Sequence, residues 1–209
     1  KRSHGHAYVA AAAMRAAPLG IWWAARRPGW KKAVTVVEQI LSITHRHPCS
    51  LAAGIGQAYA VKETVSAEKD TFDGRAFFDE MLEQTERIEE RFDEADTRNS
   101  DRLRTLVRHL KEYPLDLAEI CEGTGVSAHE SWPYAIAMMA RGPRLVEATL
   151  LSGINVGGDA DTTGAMMGAL LGGLNGWNAF PEEWRDGLEA SDKLLDQADG
   201  FAAALSSSN

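Results

Sequence analysis

Cysteine is scarce in this chain. Cys49 and Cys121 are its only two in 209 residues, and neither belongs to a CxxC pair or to any other metal-ligand spacing. That excludes a disulfide framework and a zinc finger. It suits reduced thiols in a cytoplasmic protein, with a single Cys49–Cys121 bridge left open. There is no run of the roughly 18 apolar residues that a membrane helix needs. The basic start, Lys1-Arg2-Ser3-His4-Gly5-His6, is followed by an Ala-rich run containing Arg15, which makes a poor signal peptide. Positive charge is in deficit as well, with 22 Lys and Arg against 30 Asp and Glu and a net charge of −8. This argues against a general nucleic-acid surface and leaves room only for a local basic pocket, such as one for a pyrophosphate. No stretch alternates apolar and polar residues as a half-buried strand does, and nothing repeats. The remaining composition, 44% hydrophobic and 25% charged, is that of an ordinary globular protein, long enough for one domain over residues 1–209 with a real core.

What is present reads as helix after helix, an all-α chain. The Ala-rich residues 7–14 favour helix, and Pro18 with Gly20 breaks it. Residues 21–26 form a short apolar segment closed by Arg27-Pro28-Gly29. Ala33, Val36, Val37, Ile40 and Leu41 mark one face of a helix over 30–44, stopped by Pro48. A second helix over 50–63 carries Ala52, Ala53, Gly54 and Gly56, which suit close packing. Asp73-Gly74 starts another, with a stripe of Phe77, Phe78, Met81, Leu82 and Ile88, while Glu80, Glu83, Glu86, Glu89 and Glu90 fill a solvated face. Residues 97–101 form a loop with an N-cap signal before a helix over 102–112, which Pro114 ends. A short helix through Leu117 and Ile120 leads to a loop at 123–127, then helices over 132–141 and 143–155. Pro181 suits a first helical turn. The last helix covers 190–205 and leaves 206–209 frayed.

Residues 157–164, GGDADTTG, concentrate the polar chemistry. Paired glycines suit a tight turn, and the following Gly164, Gly168, Gly172 and Gly176 recur every four residues along one helix face. Each interior glycine costs a helix about 0.5–1 kcal/mol, so this stripe predicts the close approach of another backbone. Asp159 and Asp161 repel at this spacing, and one must take up a proton unless a cation lies between them. Two readings follow from spacing alone. One is a site for a hard cation, Mg²⁺, Mn²⁺ or Ca²⁺ rather than zinc. The other is an N-cap Asp with a solvated neighbour.

These residues resemble a known family. GGDADTTGAMMGALLGGLNGW, 157–177, is similar to the carboxy-terminal metal motif of the ADP-ribosylglycohydrolases, the family of dinitrogenase reductase-activating glycohydrolase. AAMRAAPLG at 12–20, ITHRHP at 43–48, and the stretch from Gly123-Thr124-Gly125 to ESWPYA at 130–135 are similar to further segments of that pattern, in the right order. The resemblance implies a compact, orthogonal multi-helix domain spanning 1–209, the carboxy-terminal two-thirds of the pattern. It implies a hydrolase that cleaves the N- or O-glycosidic bond between ADP-ribose and an acceptor, either a modified protein or a small ADP-ribose conjugate. Its cofactor would be Mg²⁺ (or Mn²⁺), with two ions in a complete enzyme. Asp159, Asp161 and Thr162 would be metal ligands, and His45 and Gly158 would contact the ADP-ribose. The family's "GDALG"-like and "DDT" segments, which supply other metal ligands and the acidic group at the reaction centre, do not occur. No catalytic residue is nominated, and the expectation is a fragment or a shortened relative, weak or inactive alone. The alternative is an incomplete, ADP-ribose-binding or helical interaction module.

Other residues carry two readings each. His45 and His47 at a helix end would complement its dipole; the resemblance moves His45, and not His47, to the ligand. His4 and His6 belong to the ragged start. Arg15 would neutralise a phosphate or pair with an acid in the core. Glu130 would serve as an acid or base, or simply begin a helix. Trp22, Trp23 and Trp132 would stack on a base or fill the core. Val9, Ala10 and Ala11 replace a ligand-wrapping "SNG" loop of the family with residues that prefer helix, which weakens ligand contact on that side.

Overall fold

The structure, a computed structural model, describes residues 9–92 and 97–207. Its regular structure among these residues is helical, and the all-α expectation holds. The elements are α1 (Ala11–Met14), α2 (Ala17–Arg26), α3 (Trp30–Leu41), α4 (Pro48–Ser66), α5 (Gly74–Glu89) and α6 (Asn99–Leu106). They continue with α7 (Pro114–Ile120), α8 (Ala128–Arg141), α9 (Val146–Ile154), α10 (Ala160–Asn175), α11 (Glu182–Asp186) and α12 (Ser191–Ser206). Strand-like pairing among the described residues is one isolated antiparallel bridge, Val9 to Ser127. No helix of these residues is long and apolar enough to cross a membrane.

The helix α4 is the spine. Fourteen of its 19 residues are buried, as befits a helix that is apolar or small on every side. Helices α1, α2, α3, α5, α6, α8 and α10 all pack on it. Small residues make that possible. A Cβ on Gly20 of α2 would collide with the Ala58 carbonyl and stand 2.6 Å from the Val61 Cβ, and one on Gly56 would stand 2.6 Å from the Trp132 ring. Polar bonding completes the spine. The buried Gln57 donates through Nε2 to the Met166 carbonyl of α10 at 3.0 Å and accepts at Oε1 from Trp132 Nε1 of α8 at 3.1 Å. Both ends of the amide are thus satisfied, and the desolvation cost of an unpaired amide is avoided. Trp132 and Trp23 are 0% and 4% exposed, so both fill the core.

Several expected boundaries move, for one physical reason. Pro18, Pro48 and Pro114 do not merely stop the preceding segments; each lies in the first turn of the next helix. There the missing N–H costs nothing and the fixed φ is already helical. His47 accordingly caps the start of α4, its Nδ1 accepting from Cys49 N at 3.2 Å, rather than the end of α3. Val9 and Ala10 are not helical, because Val9 bridges Ser127 and Ala10 N donates to Val126 O at 2.9 Å. Residues 7 and 8, with His4 and His6, lie outside the described residues. At the other end, α12 runs to Ser206, buries none of its residues, and rests on α2, where Arg26 donates to Ala204 O at 3.0 Å.

The glutamate face of α5 has one exception to its solvation. Glu89 is 1% exposed and accepts from both backbone N–H groups and both side chains of Asn99 and Ser100, the Asn99 N–H at 2.6 Å. It supplies the partners for the start of α6, which therefore begins at Asn99 rather than at 102. Cys49 and Cys121 are free and buried, and burial pushes each thiol up to about 12.

Burial, working against its four donors, holds the Glu89 carboxyl above the ordinary range. The folded value exceeds the unfolded one, near 4.3. The folded protein therefore keeps a proton that the unfolded chain loses, and stability from this group falls as pH rises through the folded value. Glu89→Ala is expected to lower the unfolding free energy by about 3 kcal/mol in urea melts, because buried donors lose their acceptor. Glu89→Gln is expected to flatten the dependence of stability on pH above about 4.3.

Candidate functional site

The acidic stretch forms the turn between α9 and α10. Gly157 and Gly158 have φ of +89° and +76°, left-handed values that glycine adopts without a steric penalty. Thr124 clamps them. Its hydroxyl donates to the Gly157 carbonyl at 2.8 Å, and its own carbonyl accepts from Asp159 N at 2.7 Å. A Cβ on Gly158 would collide with the Thr124 carbonyl and hydroxyl oxygens, whereas one on Gly157 meets nothing within 4 Å. The Thr124 loop is itself held from two sides. Glu130 Oε2 accepts from Gly125 N at 3.2 Å, and the Val9–Ala10 segment bonds to Val126 and Ser127. Glu130 therefore organises this loop from the first turn of α8.

Asp159 takes the N-cap position of α10 but makes no side-chain cap bond. Its carboxyl instead lies beside the Asp161 carboxyl and the Thr162 side chain. Burial first, then the neighbouring Asp161, raises the Asp159 carboxyl above its ordinary value. The neighbouring Asp159 first, then the Thr162 N–H at 2.8 Å, lowers that of Asp161. Beside them, the Thr163 hydroxyl is 1% exposed with no hydrogen-bond partner among the described residues. The donor set, two carboxyls and the Thr162 hydroxyl facing one another, calls for a positive charge between them. Among the described residues no third His, Cys, Asp or Glu joins it.

A second cluster gathers Arg15, Thr44 and His45. Arg15 donates to the Thr44 hydroxyl and lies 3.2 Å from His45 Nδ1, which is also 2.8 Å from the Thr44 hydroxyl. Arg15 can only donate, so Nδ1 accepts and the ring proton resides on Nε2. Burial, then the neighbouring Arg15 charge, lowers the pKa of His45 and keeps it neutral. Arg15 is exposed and pairs with no core acid among the described residues. This cluster shares no residue with the acidic turn. Helix α1, which ends beside Arg15, packs on both α4 and α10 and is the element common to the two.

The glycine stripe behaves differently from its expectation. Gly168 and Gly176 have nothing within 4 Å of an added Cβ, and Gly164 and Gly172 meet only side chains. The close approach falls on Gly173, where an added Cβ would stand 2.6 Å from Thr64 Oγ1 of α4. Gly164 instead borders an open apolar recess of about 450 Å³, formed with Leu150, Leu151 and Ile154 of α9 and Trp184 beside Asp161. Sequence reasoning missed this recess and the role of Thr124. The threonine between two glycines was the available signal for the latter.

The ADP-ribosylglycohydrolase family profile matches residues 1–209, and the chain belongs to that family. It is 28% identical over 187 residues to an uncharacterized protein of Archaeoglobus fulgidus, covering 90% of this chain and 55% of that protein. It is 28% identical over 176 residues to the ADP-ribosylhydrolase ARH3 of Bos taurus, covering 73% and 47% respectively. Against the human protein of the same name it is 33% identical over 110 residues, 46% of this chain and 30% of that one. The chain spans about half the length of the first two of these relatives.

Gly158→Ala is expected to cost about 2–4 kcal/mol, the sum of a left-handed alanine and a collision with the Thr124 backbone. Gly157→Ala, with free space, is expected to cost only about 1 kcal/mol. Urea denaturation of the two variants checks the order; equal costs would remove the clamp from the account.

Proposed function

We propose that the chain acts in the hydrolytic release of ADP-ribose from a modified acceptor, through an N- or O-glycosidic bond, with a hard divalent cation held by Asp159, Asp161 and Thr162. The observation that carries this is the pair of carboxyls, Asp159 and Asp161, on a turn that Thr124 clamps at the start of α10. Mg²⁺ or Mn²⁺ suits such oxygen donors. When bound, the ion supplies Lewis-acid polarisation and a template for the substrate. Family membership and the name of the mammalian relatives, ADP-ribosylhydrolase, support the substrate class.

The chain's own residues have separable tasks. Thr124 and Gly158 hold the turn so that the carboxyls converge without rearrangement, the kind of preorganisation that makes charge stabilisation effective. Neutral His45, with its Nε2 proton, and the exposed Arg15 offer donors to phosphate oxygens. ADP-ribosylated protein or a small ADP-ribose conjugate is the partner this chemistry suits, and the buried free thiols suit a cytoplasmic setting. A second reading, binding of ADP-ribose without turnover, is favoured by the absence of a third metal-binding side chain among the described residues.

Thermal melts in Mn²⁺ test the ion. At about 100 times its Kd the wild type should gain about 2.7 kcal/mol, and Asp161→Asn should gain nothing. Equal stabilisation of the two would remove these ligands. Incubation with an ADP-ribosylated protein then separates the readings: metal-dependent release of free ADP-ribose identifies hydrolysis, and binding of ADP-ribose without release identifies the module.

A further inference from the structure

A basic groove lies at the meeting of α5, α8 and the connection from α6 to α7. It encloses about 1010 Å³, and its lining includes Arg75, Arg108, Lys111 and Arg141 against one carboxylate, Glu112. In a chain of net charge −8 this is a local inversion of sign. The walls are fixed. Gly74 lets α5 approach the end of α8 so closely that a Cβ would collide with the Ala140 carbonyl oxygen and lie 2.9 Å from its carbon. Arg75 donates to Asp79 at 2.9 Å and to the Val107 carbonyl at 3.0 Å, and Arg141 Nε donates to the Glu112 carbonyl at 3.0 Å. Two guanidinium groups are thereby set in place, each with donors remaining. Arg108 and Lys111 are exposed and make no ion pair or side-chain hydrogen bond among the described residues. Next along the chain, the Tyr113 ring is 74% exposed.

We propose that this groove binds a single-stranded chain of nucleotides linked through phosphates. Guanidinium forks match phosphate oxygens, and a volume of about 1010 Å³ accommodates more than one phosphate. The exposed phenol ring of Tyr113, which directly follows the lining residue Glu112, supplies a stacking platform of the kind every base can use. The acidic remainder of the protein does not forbid this. At physiological salt the Debye length is about 8 Å, so the nearby cations dominate and distant carboxylates are screened. The binding is local and salt-sensitive, unlike a general polyanion surface.

The test is fluorescence anisotropy with a labelled single-stranded oligoadenylate, titrated with the full chain at several salt concentrations. Wild type should bind, and the Arg108→Gln, Lys111→Gln double variant should bind at least about tenfold more weakly. Its salt slope should be shallower by about 1.4, from about 0.7 per lost phosphate contact. Tyr113→Ala should weaken binding at least about fivefold with the slope unchanged, and Tyr113→Phe should not. A charge-matched control, Lys31→Gln with Lys32→Gln on the exposed face of α3, should bind as wild type does. Thermal melts confirm that each variant folds. No binding by wild type at low salt overturns the proposal, as does equal weakening by the control. Competition by poly-glutamate as strong as that by unlabelled oligonucleotide overturns the nucleotide assignment.

Discussion

The close approach of seven helices to α4 is the constraint on which the other parts depend. A helix surrounded in this way can present no bulky side chain where a neighbour passes closely, and α4 meets that condition through Ala58, Gly54 and Gly56. Once bulk is excluded, polar satisfaction becomes the second requirement, because an unpaired buried amide costs several kcal/mol. Gln57 meets it by bonding to α8 and α10 together. Packing and hydrogen bonding therefore fix the same three helices.

The acidic turn inherits its position from that arrangement. Helix α10 is set against α4 by Gln57 and by Gly173, and α8 carries the loop that bears Thr124. The clamp on Gly157 and Gly158 thus joins two elements already held by the spine. The clamp holds Asp159 and Asp161 on one turn, where each shifts the titration of the other. The same logic applies to Glu89, a carboxylate kept in the core by the unfilled N–H groups at the start of α6.

Charge is distributed in a way that net charge conceals. The acidic total describes the whole surface, while the clusters that matter are local: the carboxyl pair at 159 and 161, the Arg15–His45 group, and the cations around Arg108 and Lys111. Screening over about 8 Å lets neighbouring regions of opposite sign act separately. A family member with a carboxyl pair in one place and a basic groove in another needs no compromise between them.

The longer helices were legible because apolar spacing at Ala33, Val37 and Leu41, or at Phe77, Phe78 and Met81, records which face is buried. The carboxyl pair was legible too, since two acids two positions apart beside paired glycines must interact wherever they lie. Helix starts were less so. Proline ends one segment and opens another by the same covalent property, and only the neighbouring chain shows which happens at Pro18, Pro48 and Pro114. What no local pattern contains is the identity of long-range partners. Glu89 reads as one solvated glutamate among five until α6 arrives above it. Thr124 becomes a clamp only when α8 brings it against Gly158. The basic groove exists only because Arg75, Arg108 and Arg141, scattered along the chain, converge. Sequence by itself determined which residues seek burial, helix or charge; the tertiary structure decided which of them meet, because contact depends on packing that a linear spacing does not encode.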